Sequence, residues 1–150
     1  MKLIAACWYS AIALTSATAA LAADDVVHPT KLALGADAFL SAATVRSTHS
    51  GTKGEVDVLD HEAFRAADDR FDAGVYAVSG PHRAEITQDY GVDEFMYFLE
   101  GGVTLVSADG TRTEVGAGEA VVVPKTWRGV WESEGYKKIY VIYSPDKPIE

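Results

Sequence analysis

Glu94 is the carboxylate of this chain best placed to handle a proton. It opens the run Glu94-Phe95-Met96-Tyr97-Phe98, and in an extended strand Glu94, Met96 and Phe98 share one face. Burial beside apolar and aromatic side chains penalises a charged carboxyl, raises its pKa and poises it for acid/base work near neutral pH. Downstream, Trp127-Arg128-Gly129-Val130-Trp131 sets two indoles on one face with a glycine between them. That spacing would leave room beside an aromatic wall, the composition of a small-molecule pocket. Lys125 and Arg128 stand close by as candidate anchors for an anionic group, and an arginine can hold one bidentately. Thr87 and Asp89 precede Glu94 as candidate polar contacts. Each residue also admits a structural role. The rings would then fill a small barrel solidly, Glu94 would be a carboxylate held by neighbouring donors, and Lys125 and Arg128 would be solvated loop charges.

The elements that must present these residues are short strands. Glu55 to Asp60 alternates polar and apolar residues, the period of a half-buried strand. Val75–Val78, His82–Thr87, Glu94–Leu99, Val103–Ser107, Thr111–Val115, Glu119–Val123, Trp127–Glu132 and Lys137–Tyr143 follow, separated by Gly, Pro, Asp and Ser. Asp109-Gly110 between two such runs is a strong hairpin signal. Seven or eight strands at a spacing of about 8–12 residues describe a sandwich or a closed barrel. Phe64 and Phe71 are the expected anchors of the charged stretch His61–Asp72, and Lys31 to Val45 could form a helix around Asp37–Leu40. In Lys137–Tyr143, Tyr140 and Ile142 share one face, and the sequence leaves open which face is inside.

These punctuated strands resemble the conserved barrel of the cupin superfamily. Glu94, with six residues between it and Gly101, fits the glutamate of the first cupin motif, and Gly118 and Pro124 fit the second. The histidine positions of the first motif fall on Thr87 and Asp89, or on Gln88 and Tyr90, and that of the second falls on Gly129. His28, His49, His61 and His82 all lie elsewhere, although His82 could point inward from a neighbouring strand. Two carboxylates without imidazole make a poor transition-metal site, so no metal or other cofactor is expected. The pattern E-F-x-Y-x-L-E-G, P-K-x-W-R-G-x-W and Y-K-K-I-Y-V-I is similar to the DUF861 (cupin_3) subfamily. That subfamily includes ethanolamine-utilisation Q-type proteins and ureidoglycine aminohydrolase. The resemblance implies an all-β single cupin barrel, a double-stranded β-helix or jelly roll, and a homodimer.

Composition narrows the function classes. A length of 150 residues with 48% hydrophobic residues suits one domain with a real core. A formal charge of −9 disfavours binding to nucleic acid. Met1-Lys2, an apolar Leu3–Leu14 and the A-x-A pattern Ala20-Leu21-Ala22 read as a signal peptide. The expected boundaries are signal peptide 1–23, N-terminal extension 24–54 and barrel 55–150. The mature protein would be exported to the periplasm or secreted, without a stable membrane anchor. Cleavage near Ala22-Ala23 removes Lys2, taking the charge from −9 to −10, and removes Cys7, the only cysteine. Thiolate chemistry and disulfides would then be absent. Phosphate loops, G-x-S-x-G, H-E-x-x-H and EF-hand loops are missing.

Two functions of different classes follow. The first is a non-catalytic barrel that binds a small molecule without metal. The second is a metal-independent enzyme acting on a small polar or aromatic metabolite, with Glu94 as acid/base, Lys125 or Arg128 as anion anchor, and Trp127 and Trp131 as shaping wall.

Overall fold

The computed structural model describes residues 29–149 apart from 33, 43 and 44. The signal peptide expected over 1–23 lies outside the described residues. A helix, α1 (Ala36–Ala42), precedes β1 (Val45–Gly51), β2 (Gly54–Arg65), β3 (Phe71–Val78), β4 (His82–Ile86), β5 (Asp93–Ser107), β6 (Arg112–Gly116), β7 (Ala120–Val123), β8 (Gly129–Ser133) and β9 (Tyr136–Tyr143). The strands pair antiparallel in the order β1-β2-β3-β9-β5-β8-β4, with β6 and β7 both added on β5. The sheet curls until Thr52, just past β1, donates its N–H to the Pro81 carbonyl just before β4, at 2.8 Å. The result is a near-closed barrel of the jelly-roll kind. Among the described residues no helix is long and apolar enough to cross a membrane.

Strand β5 is the backbone of this architecture. Its first half pairs with β7 and β9, and its second half with β6 and β8. The runs Glu94–Leu99 and Val103–Ser107, separate strands by sequence, are therefore one strand bent at a corner. The β9 ladder slips between Phe98 and Glu100, and Gly101 turns with φ of 64°. A Cβ at Gly101 would lie 2.0 Å from the Gly135 carbonyl oxygen, so glycine is required there. The bend leaves Glu94, Met96 and Phe98 facing inward. Met96 and Phe98 are fully buried in the core with Val103, Leu105, Val123 and Trp131. Burying a side chain of that size stabilises the fold by about 1.5–3 kcal/mol.

The N-terminal part is more structured than its thin pattern suggests. Strand β1, drawn from the residues read as an extension, forms a hairpin with β2 that closes at Gly51 opposite Gly54. Helix α1 is a seven-residue segment that would be marginal alone. Packing holds it: Phe39 is buried, with the Lys137 ammonium 4.7 Å from its ring centroid. Lys137 Nζ also donates to the Leu34 carbonyl at 2.6 Å. Phe64 and Phe71 are not core anchors. They are 44% and 38% exposed and meet each other edge-on at 6.0 Å. A register shift in β2 between Glu62 and Phe64 puts Phe64 opposite Ala73, on the outer face that Phe71 also occupies.

Candidate functional site

Strand alternation and register assemble the barrel interior. On β9 the inward residues are Tyr136, Lys138, Tyr140 and Ile142, which settles the face that the sequence left open. Lys138 stands opposite Tyr76 of β3 on one side and Phe98 of β5 on the other. Strands β2 and β3 add Asp60, Glu62 and Asp72, and the far wall carries Trp131 of β8 opposite Ala84 of β4. With His82, Tyr90 and Arg65 these residues line a cavity of about 480 Å³ that is open to solvent.

At the centre of the wall is a buried ion pair. Lys138 leans along its neighbour strand past the Met96 sulfur, 3.0 Å from Nζ, and reaches Glu94 Oε1 at 2.6 Å. The two side chains are 8% and 3% exposed. The ring centroids of Trp131, Tyr76 and Tyr136 lie 5.2, 5.6 and 5.8 Å from the ammonium, within cation–π range. The second oxygen of Glu94 accepts the Tyr90 hydroxyl. Burial, and then the charge of Glu94, pushes the Tyr90 phenol far up, so it stays a donor. Glu94 therefore has a counter-ion and a donor on each oxygen, which is the held carboxylate of its structural reading rather than a bare carboxyl among apolar walls.

Carboxylates crowd the other end of the cavity. Asp60 accepts the Tyr140 hydroxyl at 3.1 Å. Gly74 makes room for that reach, since a Cβ there would lie 2.6 Å from the phenol oxygen. Burial raises the Asp60 carboxyl and also lifts the Tyr140 phenol. Glu62 takes the Arg65 guanidinium at 2.6 and 3.0 Å, which holds its carboxyl low. Arg65 has only a long 3.4 Å contact left for Asp72. Asp72 is 4% exposed and its Oδ1 is buried without a hydrogen-bond partner. Burial first, then the Glu62 charge, pushes it up to about 6. Trp131 Nε1 on the opposite wall is likewise buried without a partner.

The barrel, its bent β5 and the motif glutamate meet a direct comparison: the sequence profile of the EutQ-like cupin domain matches residues 66–140, half of the chain. This chain belongs to the EutQ-like cupin family. Solved structures share the cupin's fold at low identity. One is a protein of unknown function of the DUF861 family from Pseudomonas syringae pv. tomato str. DC3000, 20% identical with a TM-score of 0.56. That likeness covers 66% of this chain and 44% of the other, so this cupin spans less than half the length of the Pseudomonas protein. Another is the Clostridium difficile EutQ protein, 19% identical with a TM-score of 0.50 over 71% of this chain and 79% of that one. No curated protein matches the chain.

Of the residues singled out by sequence, the cupin brings Glu94 and Trp131 to the cavity wall, with His82 beside them. Met96 and Phe98 lie beneath the wall as core, Met96 touching Lys138. Trp127 is half-buried outside the cavity lining, its Nε1 donating to Ser107 Oγ at 3.1 Å and its ring edge-on to Tyr90. Gly129 opens no space between the indoles. A Cβ there would lie 2.1 Å from the Val106 carbonyl oxygen and 2.8 Å from the Trp127 ring, so Trp127 fills that place. Thr87, Asp89, Lys125 and Arg128 also sit outside the cavity lining. Backbone bonds from Tyr90 to the Trp127 carbonyl and from Gly91 to the Lys125 carbonyl tie their two connections together beside the barrel. There Arg128 pairs with Asp89 and Lys125 with Asp146, both at 2.7 Å. Sequence reasoning missed Lys138, Asp60, Glu62, Arg65, Asp72, Tyr76 and Tyr136 as cavity residues. The usable signal was a lysine two residues before Tyr140, on the same face, in a strand whose only other charged residue is Lys137.

The donor set does not suit the metal common in this fold. The motif glutamate holds an ammonium and a phenol. Among the described residues no three His, Cys, Asp or Glu side chains converge as a metal-holding group.

Proposed function

We propose that this cupin binds a small organic molecule in its barrel, beside the Lys138–Glu94 pair and without a resident metal. The observation that carries this reading is a cavity of about 480 Å³ with two buried polar atoms, Asp72 Oδ1 and Trp131 Nε1, left without partners on its walls. Such atoms cost about 1–3 kcal/mol each unless something meets them, and a ligand would do so. The enzyme alternative would use Glu94 as acid/base, but both of its oxygens are engaged, which favours binding over turnover. An exported mature chain and a homodimer complete the proposal. The dimer would cover the outer sheet face where Phe95, Val122 and Tyr143 are 43%, 60% and 50% exposed.

The test is ligand-observed NMR with a set of small amines, alcohols and carboxylates on the wild type and on Ala84→Trp, which fills the cavity beside Trp131. Binding to the wild type and loss in the variant are expected. Equal binding to both, or none to either, would remove the cavity as the site.

A further inference from the structure

The charges lining the cavity point to the class of ligand, resting on the reading that the cavity is a binding site. Four carboxylates, Asp60, Glu62, Asp72 and Glu94, face two cations, Arg65 and Lys138. Lys138 is matched to Glu94 and Arg65 is committed to Glu62. That leaves the formal balance of the lining at −2, concentrated where β2 and β3 carry Asp60, Glu62 and Asp72. An acidic cluster alone could be solvated. Here Asp72 is buried with one oxygen unmet, and across the cavity the Trp131 indole N–H is also buried and unmet. The unmet pair is one acceptor in a negative region and one donor on an aromatic wall.

We propose that the ligand is a small organic monocation with a hydrogen-bond acceptor, its ammonium or amidinium between Asp60, Glu62 and Asp72 and its acceptor towards Trp131. An N–H of the cation gives Asp72 Oδ1 its missing donor, and the charge offsets the surplus of carboxylates. The rings of Tyr76 and Tyr136, already within cation–π range of Lys138, supply faces that accept a positive group. The net charge of −9 raises the local concentration of cations around the barrel. An anion fits less well, because both cations of the lining already hold carboxylates.

Isothermal titration of the full chain with benzylamine, benzyl alcohol and phenylacetate, three probes of like size and different charge, tests this. Benzylamine is expected to bind at least tenfold more tightly than either of the others at pH 7.5. Asp72→Asn is expected to weaken benzylamine by about tenfold, the scale of one charge-assisted hydrogen bond, while moving benzyl alcohol less than twofold. Glu62→Gln provides a second reading should Asp72→Asn fail to fold. Phenylacetate or benzyl alcohol binding as well as benzylamine would overturn the cation and leave the binding site standing. No binding by any probe would take both away.

Discussion

At the scale of single residues, the pairing of Lys138 with Glu94 is the feature with the largest consequence. Lys138→Met leaves the Glu94 charge buried with only Tyr90 for company, and should destabilise the fold by about 3 kcal/mol. Adding Glu94→Gln removes the orphaned charge. The double variant should therefore recover much of that loss, with a coupling of at least about 1 kcal/mol in urea denaturation. Strictly additive losses would mean that the pair does not interact. Asp72 gives a separate signature. Its carboxyl titrates near 6 in the fold against an ordinary 3.8, so between those values the folded chain binds the proton more tightly than the unfolded one. Stability then falls as pH rises from about 4 to about 6. Asp60, raised by burial, acts with the same sign, while Glu62, held down by Arg65, acts oppositely at lower pH. Melting temperatures between pH 4 and 7 should show this decline, and Asp72→Asn should flatten it. An undiminished slope in the variant would place the titration elsewhere.

At the scale of elements, the corner of β5 decides whether the site exists, because it carries Glu94 inward on one half and pairs Trp131's strand on the other. Gly101→Ala adds a Cβ 2.0 Å from the Gly135 carbonyl oxygen at a φ of 64°. It should lower stability by about 2 kcal/mol or more, readable as a reduced urea midpoint. A neutral substitution would mean that the corner is not a constraint. The strands around this corner were legible in sequence because period-two alternation and the Asp109-Gly110 turn are local signals. The corner itself was not, since a glycine pair reads equally well as a loop between two strands. Strand β1 was illegible for a related reason. Its polar run Arg46-Ser47-Thr48-His49-Ser50 carries no hydrophobic alternation and is a strand only because β2 pairs with it.

At the scale of the whole molecule, the barrel divides sequence neighbours between inside and outside in ways that spacing alone does not reveal. Glu94 and Trp131 were legible because motif and alternation both place them inward. Lys138 was not, because hydrophobic patterning assigns a lysine to the surface, and only the closed barrel supplies the carboxylate and three rings that hold it inside. Asp60, Glu62 and Asp72 were hidden for the same reason, their shared wall being set by the β2–β3 register. The outer face supports a different expectation. Val122→Glu, at a position 60% exposed on the apolar side of the sheet, should leave the fold intact and shift the proposed dimer to monomer in analytical ultracentrifugation. A wild-type monomer would contradict the dimer.

The most direct test of a ligand site beside Lys138 and Glu94 lies in the indole N–H signals, because Trp131, whose ring lines the cavity, has its Nε1 buried without a partner whereas Trp127 Nε1 is bound to Ser107. In ¹H–¹⁵N spectra recorded through a titration with 3-methoxybenzylamine, an ammonium that also carries an ether acceptor, the signal assigned to Trp131 by its loss in Trp131→Phe should shift and saturate while that of Trp127 stays in place. A stationary Trp131 signal at saturating 3-methoxybenzylamine would contradict a site in the barrel.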